Sequence, residues 1–228
     1  DIAAPLDAAH RGVPVAPPCL CGLSLLASEV PSGHVHAAGH GVLRVSALGS
    51  CVAVVAWDRR TGRGGIAHIM LPGSAPQGRA GNEKTRYCED GIEALLAALS
   101  LAPSVETGRG AHSSPAPSGR GDESGCGSEP QGRGGGAEPA QEVTSVRACL
   151  VGAGNVLCRA DGSLCHANFQ SVTQALWRRG ISVLACHVGG TERRSVTFDV
   201  DKGCVYFTKS SSTPKLLCRF SQTNGTSL

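Results

Sequence analysis

The chain has 228 residues, a length typical of one domain with additional segments, and it can bury a substantial core. Its formal net charge is only +3 and its basic residues are scattered, so the composition gives no sign of a nucleic-acid partner. No apolar run approaches the roughly 20 residues that span a bilayer. Residues 20–30 are too short and too often interrupted by polar residues for a secretory signal. We therefore expect a cytoplasmic protein that binds no nucleic acid and does not insert directly into membranes.

Residues 1–41 are rich in Pro, Gly and Ala and predict a leader without clear structure. Histidine and cysteine, the residue types that bind zinc, occur here at His34, His36, His40, Cys19 and Cys21. Their spacing matches no standard zinc template, and the neighbouring glycines oppose a rigid helix. A solvated loop is therefore the favoured interpretation, and a metal-binding redox protein stays open as an alternative.

A pair of strands follows, with a cysteine and a histidine at one end. Residues 52–57 form an apolar, β-branched run, residues 58–62 have the composition of a turn, and residues 65–70 return as a second strand. Cys51 opens the first strand directly after a Gly-Ser turn, and His68 falls late in the second. Directly opposite residues of an antiparallel pair have Cβ atoms about 4.5–5.5 Å apart. The pattern predicts a thiol nucleophile with its imidazole base, against the alternative that both are ordinary core residues.

The rest of the chain alternates helical and strand patterns. A helix is predicted to start at Asn82 or Glu83, with an apolar stripe formed by Ile92, Leu95, Leu96 and Leu99. After a gap, the pattern predicts a strand at 145–151, a helix at 168–179, and strands at 181–186, 195–199 and 204–208. We therefore expect an α/β (α+β) protein, a single domain with a mixed β-sheet core and packed helices.

Residues 103–143 divide the predicted domain. They are rich in Pro, Ser and Gly and have almost no apolar content, so they cannot offset their ordering entropy by burial. We expect a disordered or surface insertion in a core domain that spans 42–209, followed by a polar tail at 210–228.

The eleven cysteines are spread along the chain, are odd in number and include no Cys-x-x-Cys pair. This distribution favours mostly reduced thiols over a disulfide framework.

Several segments, taken in order, resemble the chemoreceptor glutamine deamidase family, CheD. The resemblance covers about residues 42–100 and 145–209. It is carried by residues 44–54 (RVSALGSCVAV), 65–72 (GIAHIMLP), 86–96 (RYCEDGIEALL), 151–155 (VGAGN), 180–190 (GISVLACHVGG) and 194–199 (RSVTFD), with Gly203.

The resemblance implies a cysteine hydrolase that converts glutamine side chains of chemoreceptors (methyl-accepting proteins) to glutamate, with release of ammonia and a thioester intermediate. By position, Cys51 is the nucleophile and His68 its base. The backbone N–H groups around Gly49 and Ser50 are candidate donors to the oxyanion. The chemistry requires no metal or organic cofactor. The family also implies a CheC-type phosphatase as a partner.

Two positions depart from the family pattern. The family has a threonine six positions before the cysteine, and Val45 stands there in this chain. Ser46 is adjacent, but neighbouring strand residues point to opposite faces. The residues before Asn168 also differ from the family's usual Gly and Arg. The departure at Val45 leaves open the alternative of a catalytically weak binding module that docks a CheC-type phosphatase.

Overall fold

The computed structural model describes residues 27–100, 144–158 and 162–220. In chain order, the elements are β1 Ser28–Glu29, β2 Val35–Ala38, β3 Val42–Leu48, β4 Val52–Asp58, β5 Arg63–Ile69, α1 Gly81–Lys84, α2 Cys88–Ser100, β6 Val146–Gly152, α3 Ser163–Arg178, β7 Ser182–Val188, β8 Arg194–Asp199, β9 Cys204–Lys209 and β10 Lys215–Arg219. None of the helices in these ranges has the length and apolar content needed to cross a bilayer.

The strands form two five-stranded sheets. One sheet has the order β2-β5-β4-β6-β7, and the other has the order β1-β3-β8-β9-β10. Both are mixed, because β6 pairs with β7 and β1 pairs with β3 in parallel, whereas the remaining pairs are antiparallel. An α+β protein with mixed sheets is therefore what the sequence predicted. The core holds two such sheets, the second packed on the first.

Strand β4 shows how the layers are arranged. All seven of its residues are buried, which explains the uninterrupted apolar run in the sequence. Val52, Val54 and Ala56 belong to an apolar cluster with α2 and α3 on one side. The alternate residues Ala53 and Val55 belong to a cluster with the second sheet on the other side. The strand that leads out of Cys51 is thus covered on both faces.

The described strands extend beyond the predicted core of residues 42–209. Strands β1 and β2 lie within the expected leader, and β10 lies within the expected polar tail. These strands are short or half-exposed, with burial patterns that alternate little. Such segments give a weak periodic signal, because few of their side chains are buried at the edge of a sheet.

The helices differ from the predicted ones mainly at their starts. Asn82 and Glu83 lie in the short helix α1, and α2 begins separately at Cys88. Helix α3 begins at Ser163, whereas the sequence predicts a start at residue 168. Cys165 and Asn168 continue its buried face toward the N-terminus, so the helix is longer than its apolar stripe alone indicates.

Among the described residues, one disulfide crosses between the sheets. Cys149 on β6 is bonded to Cys218 on β10. The other cysteines in the described ranges are free thiols, as expected: Cys51, Cys88, Cys158, Cys165, Cys186 and Cys204.

The predicted insertion, residues 103–143, lies outside the described residues, but its two flanks are held close to the same turn. The carbonyl oxygen of Ala98 accepts a hydrogen bond from Arg63, 3.4 Å away, and the carbonyl of Ser145 accepts one from the Arg59 N–H, 3.1 Å away. Arg59 and Arg63 border the turn between β4 and β5. A short linker can therefore join the flanks.

We expect that replacing residues 103–143 with a short Gly/Ser linker leaves folding intact, because the deleted composition contributes little apolar burial. Thermal melts of the two proteins followed by circular dichroism provide the measurement. A broad, non-cooperative transition in the shortened protein would show that the segment belongs to the core.

Candidate active site

Cys51 lies in the loop that leads into β4 and is half-buried. Its carbonyl oxygen accepts a hydrogen bond from Ala153 N–H at 2.7 Å, and the Gly49 carbonyl accepts one from Gly154 N–H at 2.8 Å. Gly152 has φ +126°, and a Cβ at that position would collide with the Cys51 carbonyl. The loop after β6 therefore holds the Cys51 loop by close backbone contact, which only glycine at residue 152 permits.

His68 lies on the same sheet face as Cys51. It stands directly opposite Ala53 in the β4–β5 ladder, and Cys51 precedes Ala53 by two residues. Cys51 itself lies one residue before the first pair of the ladder, Val52 with Ile69, and alternation along the chain puts its side chain on the same face as Ala53. Ala53 and the partly buried Cys51 both pack into the cluster between the sheets. The register therefore places His68 and Cys51 on the face that looks toward the second sheet.

A backbone carbonyl orients the His68 ring. Nδ1 lies 3.3 Å from the carbonyl oxygen of Val30. Because a carbonyl can only accept, Nδ1 carries the proton and Nε2 keeps its lone pair. The His68 main chain is held by the same segment, through hydrogen bonds with the His34 carbonyl and the Gly33 N–H. The chain just after β1 therefore fixes the tautomer that a general base needs.

Burial sets the charge state of both groups. It lowers the pKa of His68, against the smaller opposing effects of the Val30 carbonyl and of Glu29. Burial also raises the pKa of the Cys51 thiol. At neutral pH the site therefore holds a neutral imidazole and a protonated thiol. Such a thiol needs a base to become a nucleophile.

Val45 and Ser46 point in different directions. Val45 on β3 is fully buried in the cluster between the sheets, the cluster that Cys51 borders. A bulge follows Val45, but it does not turn Ser46 inward. The Ser46 hydroxyl donates to one oxygen of Glu29 at 3.2 Å, and its N–H donates to the other at 2.8 Å. Ser46 is engaged elsewhere, so it does not supply the hydroxyl that Val45 lacks.

A cavity of about 330 Å³ opens at Cys51. Gly49 and Ser50 line it together with Cys51. Two leucines of the same lining are unusually exposed, Leu157 at 71% and Leu164 at 39%. The further lining residues are Ala47, Gly154, Asn155, Val156, Gly162, Ser163, Cys165 and Arg193.

Two contributors to the site were missed at the sequence level. The Val30 carbonyl belongs to a segment that was expected to be a leader, and a backbone oxygen carries no sequence signal. Asn168 is fully buried on α3, where its side chain bonds to the Ser50 and Met70 carbonyls. The available signal was a polar residue in line with the apolar stripe Val172, Ala175 and Leu176.

The histidines proposed as metal ligands have other partners or positions. Asn82 donates to His34 Nε2 at 2.6 Å, and His34 Nδ1 lies 3.1 Å from the Ser32 carbonyl. His36 lies on β2. Within the described ranges, no group of three or more His, Cys, Asp or Glu side chains could hold a metal ion. Cys19 and Cys21 lie outside those ranges.

Comparison with known proteins finds matches described as CheD. The family described as "CheD chemotactic sensory transduction" matches residues 138–209, downstream of Cys51 and His68. A probable chemoreceptor glutamine deamidase CheD from Chlorobium luteolum is 29% identical over 187 residues, 82% of this chain and 74% of that protein. A stretch of 187 residues in a chain of 228 necessarily includes both site residues.

Two further proteins with the same description match over different lengths. The protein from Haloarcula marismortui is 23% identical over 177 residues, 77% of this chain and 79% of the relative. The protein from Pyrococcus horikoshii is 40% identical over 58 residues, 25% of this chain and 35% of the relative. The long match and the short one therefore carry the same description.

Proposed function

We propose, from its similarity to CheD proteins, that the chain is a chemoreceptor glutamine deamidase that uses Cys51 as its nucleophile and His68 as its general base. The observation that carries this assignment is the hydrogen bond between His68 Nδ1 and the Val30 carbonyl. It leaves Nε2 free to accept a proton, on the face that Cys51 shares. The cavity brings a substrate amide to the sulfur.

The reaction proceeds in two halves. His68 Nε2 takes the thiol proton, Sγ attacks the carboxamide carbon, and the C–N bond breaks as the imidazolium returns the proton to the departing ammonia. Water then attacks the thioester while His68 accepts a proton from it, and the C–S bond breaks to release glutamate and the thiol. The net change is addition of water and loss of ammonia. Proton transfers of this kind contribute typically ~10²–10⁴-fold to the rate.

The negative charge on the substrate oxygen needs donors beside Cys51. The backbone N–H groups of Gly49, Ser50 and Cys51 belong to the loop that lines the cavity, so they can serve as an oxyanion hole. A rigid loop costs no reorganisation when charge develops. The hydrogen bonds from the loop after β6 support that rigidity.

The exposed leucines favour a macromolecular substrate. Leu157 and Leu164 leave large apolar surfaces in water beside the cavity, as at a protein interaction site. A glutamine on a receptor surface can enter the cavity while its neighbours contact these leucines. Mass spectrometry of a candidate receptor fragment tests the function, because each deamidation adds about 1 Da. No mass change at any glutamine, with the protein folded, would contradict it.

The CheC-type phosphatase stays a prediction from the family resemblance, and the cytoplasmic location stays a prediction from the sequence, which shows neither a membrane-spanning run nor a secretory signal. Binding of such a phosphatase can be measured by titration calorimetry. The binding-module alternative draws its support from Val45, whereas the Cys51–His68 pair and the cavity beside it support catalysis.

We expect Val45→Thr to raise the rate of ammonia release, if the missing hydroxyl helps to orient the base or the amide. A gain of about tenfold corresponds to ~1.4 kcal/mol of transition-state stabilisation. The replacement keeps a β-branched shape but places a hydroxyl in an apolar cluster, so the melting temperature should fall. Rates and melts of both proteins provide the measurement.

Val196→Thr is the matched control for this change. Val196 is fully buried directly opposite Val45, so it takes the same hydroxyl into the same cluster. We expect no rate gain from it, and we expect the gain in Val45→Thr to vanish when His68 is also replaced. A normally folded Val45→Thr protein as slow as the parent would favour the binding-module alternative.

On the acid side, kcat/KM is expected to decline only below pH 6.5. His68 acts as a base only when neutral, and burial lowers its pKa below the ordinary value of about 6.5. Activity should therefore persist as the pH falls through about 6.5 and decline only as His68 becomes protonated. His68 also contributes to folding stability. This contribution is fully present above the pKa of His68 in the unfolded chain, and it is lost as the pH falls through its lower pKa in the folded protein. The pH dependence of kcat/KM provides the measurement, and an acid limb above pH 6.5 would contradict the assignment.

A further inference from the structure

Strands β4 and β5 diverge at the active site, and we call this divergence the fork. Its last pair is Val52 with Ile69. Beyond that pair, the Cys51 carbonyl binds the loop after β6, whereas the Met70 N–H donates to the Arg86 carbonyl at 2.9 Å. The two chains therefore turn toward opposite neighbours. The fork separates the nucleophile's loop from the end of the strand that carries the base.

The Asn168 side chain bridges this fork from α3. Its Nδ2 donates to the Ser50 carbonyl and to the Met70 carbonyl, each at 2.9 Å. A carboxamide has two N–H hydrogens, so one side chain satisfies both oxygens. Leucine has a similar size but no donor, and aspartate would bring acceptors against acceptors. The bridge therefore depends on the amide itself.

We infer that Asn168 is a positioning residue for the Cys51–His68 pair, an inference that rests on the proposed reaction at Cys51. The Ser50 carbonyl and the Cys51 N–H belong to one trans peptide and point in opposite directions. Holding the carbonyl on α3 therefore fixes the direction of the Cys51 N–H, a donor of the proposed oxyanion hole. The second bond fixes the chain two residues after His68. One amide thus sets the nucleophile, its donor and the base relative to each other.

The destabilisation that a buried, partly unpaired asparagine causes supports the inference. Asn168 is completely buried, and its Oδ1 has no hydrogen-bond partner among the described residues. An unpaired buried acceptor destabilises the fold, and the neighbouring positions Val172, Ala175 and Leu176 on the same face are apolar. An apolar residue would pack here without that penalty. The amide therefore serves the geometry of the fork rather than the stability of the helix.

The decisive experiment compares Asn168→Leu with Val172→Ala. Val172 is fully buried one turn along the same helix face, outside the site, so its truncation is a control for loss of stability. We expect kcat of Asn168→Leu to fall on the order of 10- to 100-fold with KM nearly unchanged, because small misplacements of reacting groups have effects of this size. Val172→Ala should keep its kcat even where its melting temperature falls further. Equal kcat values in the two variants would overturn the inference.

A second readout does not need the proposed substrate. Alkylation of Cys51 by iodoacetamide, followed by peptide mass spectrometry as a function of pH, reports how well His68 activates the thiol. We expect the profile of Asn168→Leu to move toward that of His68→Gln, and the profile of Val172→Ala to stay with the parent. If the alkylation profile of Asn168→Leu shifts but the parent protein releases no ammonia, the positioning role stands and the proposed function is rejected. An unshifted profile with active parent enzyme would do the reverse.

Asn168→Thr provides a further variant should Asn168→Leu fail to fold. Its hydroxyl keeps one donor, so one of the two carbonyls stays bound. We expect a smaller loss of kcat than a complete loss of the bridge would cause, with a partial shift of the alkylation profile. Parent-like values of both quantities in folded Asn168→Thr would overturn the inference as well.

Discussion

Cys51→Ala is expected to abolish deamidation while the protein stays folded. The change removes the sulfur that the proposed mechanism uses to form the thioester, so the rate should fall on the order of 10⁴-fold or more. Cys51 is half-buried at the border of the core, and the loop around it is held by backbone hydrogen bonds that alanine keeps. Loss of the sulfur should therefore shift the melting temperature by only a few degrees. Ammonia release per enzyme and a thermal melt provide the two measurements.

Cys186→Ser is the matched control for this variant. Cys186 is an exposed free thiol on β7 and does not line the cavity at Cys51. It should retain the parent rate. Ammonia release by Cys51→Ala at a rate close to the parent's would end the assignment of the nucleophile, since no thioester can then form at residue 51.

His68→Gln is expected to lower kcat/KM by about 10²–10⁴-fold, the usual contribution of a general base. Glutamine can still donate a hydrogen bond to the Val30 carbonyl, so the change removes the basic nitrogen and keeps a polar partner for that oxygen. The loss should be largest near neutral pH. There the Cys51 thiol is protonated, because burial raises its pKa.

The same variant should recover part of its rate as the pH rises. Hydroxide then removes the thiol proton that His68 removes in the parent, so the rates of parent and variant converge. His36→Gln on β2 is the control, since His36 stands opposite Ile66 and lies away from Cys51. A His68→Gln protein with the parent's rate and pH profile would show that some other group acts as the base.

The two variants together separate the roles of sulfur and imidazole. Without Cys51 there is no covalent route at any pH, whereas without His68 the route exists but lacks its base. A double variant should therefore be no slower than Cys51→Ala alone, because residues that act as one unit give non-additive losses. An additional loss in the double variant would indicate that His68 also acts apart from the thiol.

The short-range features of this protein could be predicted from its sequence. The pairing of β4 with β5 follows from an apolar run, a polar turn and a returning strand, all within about twenty residues of one another. Cys51 and His68 share a sheet face because side chains alternate along strands and the turn sets the register. The helix around Ile92 and Leu95 was likewise visible in the spacing of its apolar residues.

The contacts that hold the site depend on residues far apart in the sequence. The Val30 carbonyl that fixes the His68 tautomer lies 38 residues away in the sequence, and Asn168 lies 118 residues from Ser50. A carbonyl oxygen has no residue identity, and a buried asparagine shows its role only when its two acceptors are placed beside it. The second sheet was also out of reach, because its edge strands β1 and β10 are short and weakly patterned. Periodicity reports which face of an element is buried, whereas the partner that buries it depends on long-range packing.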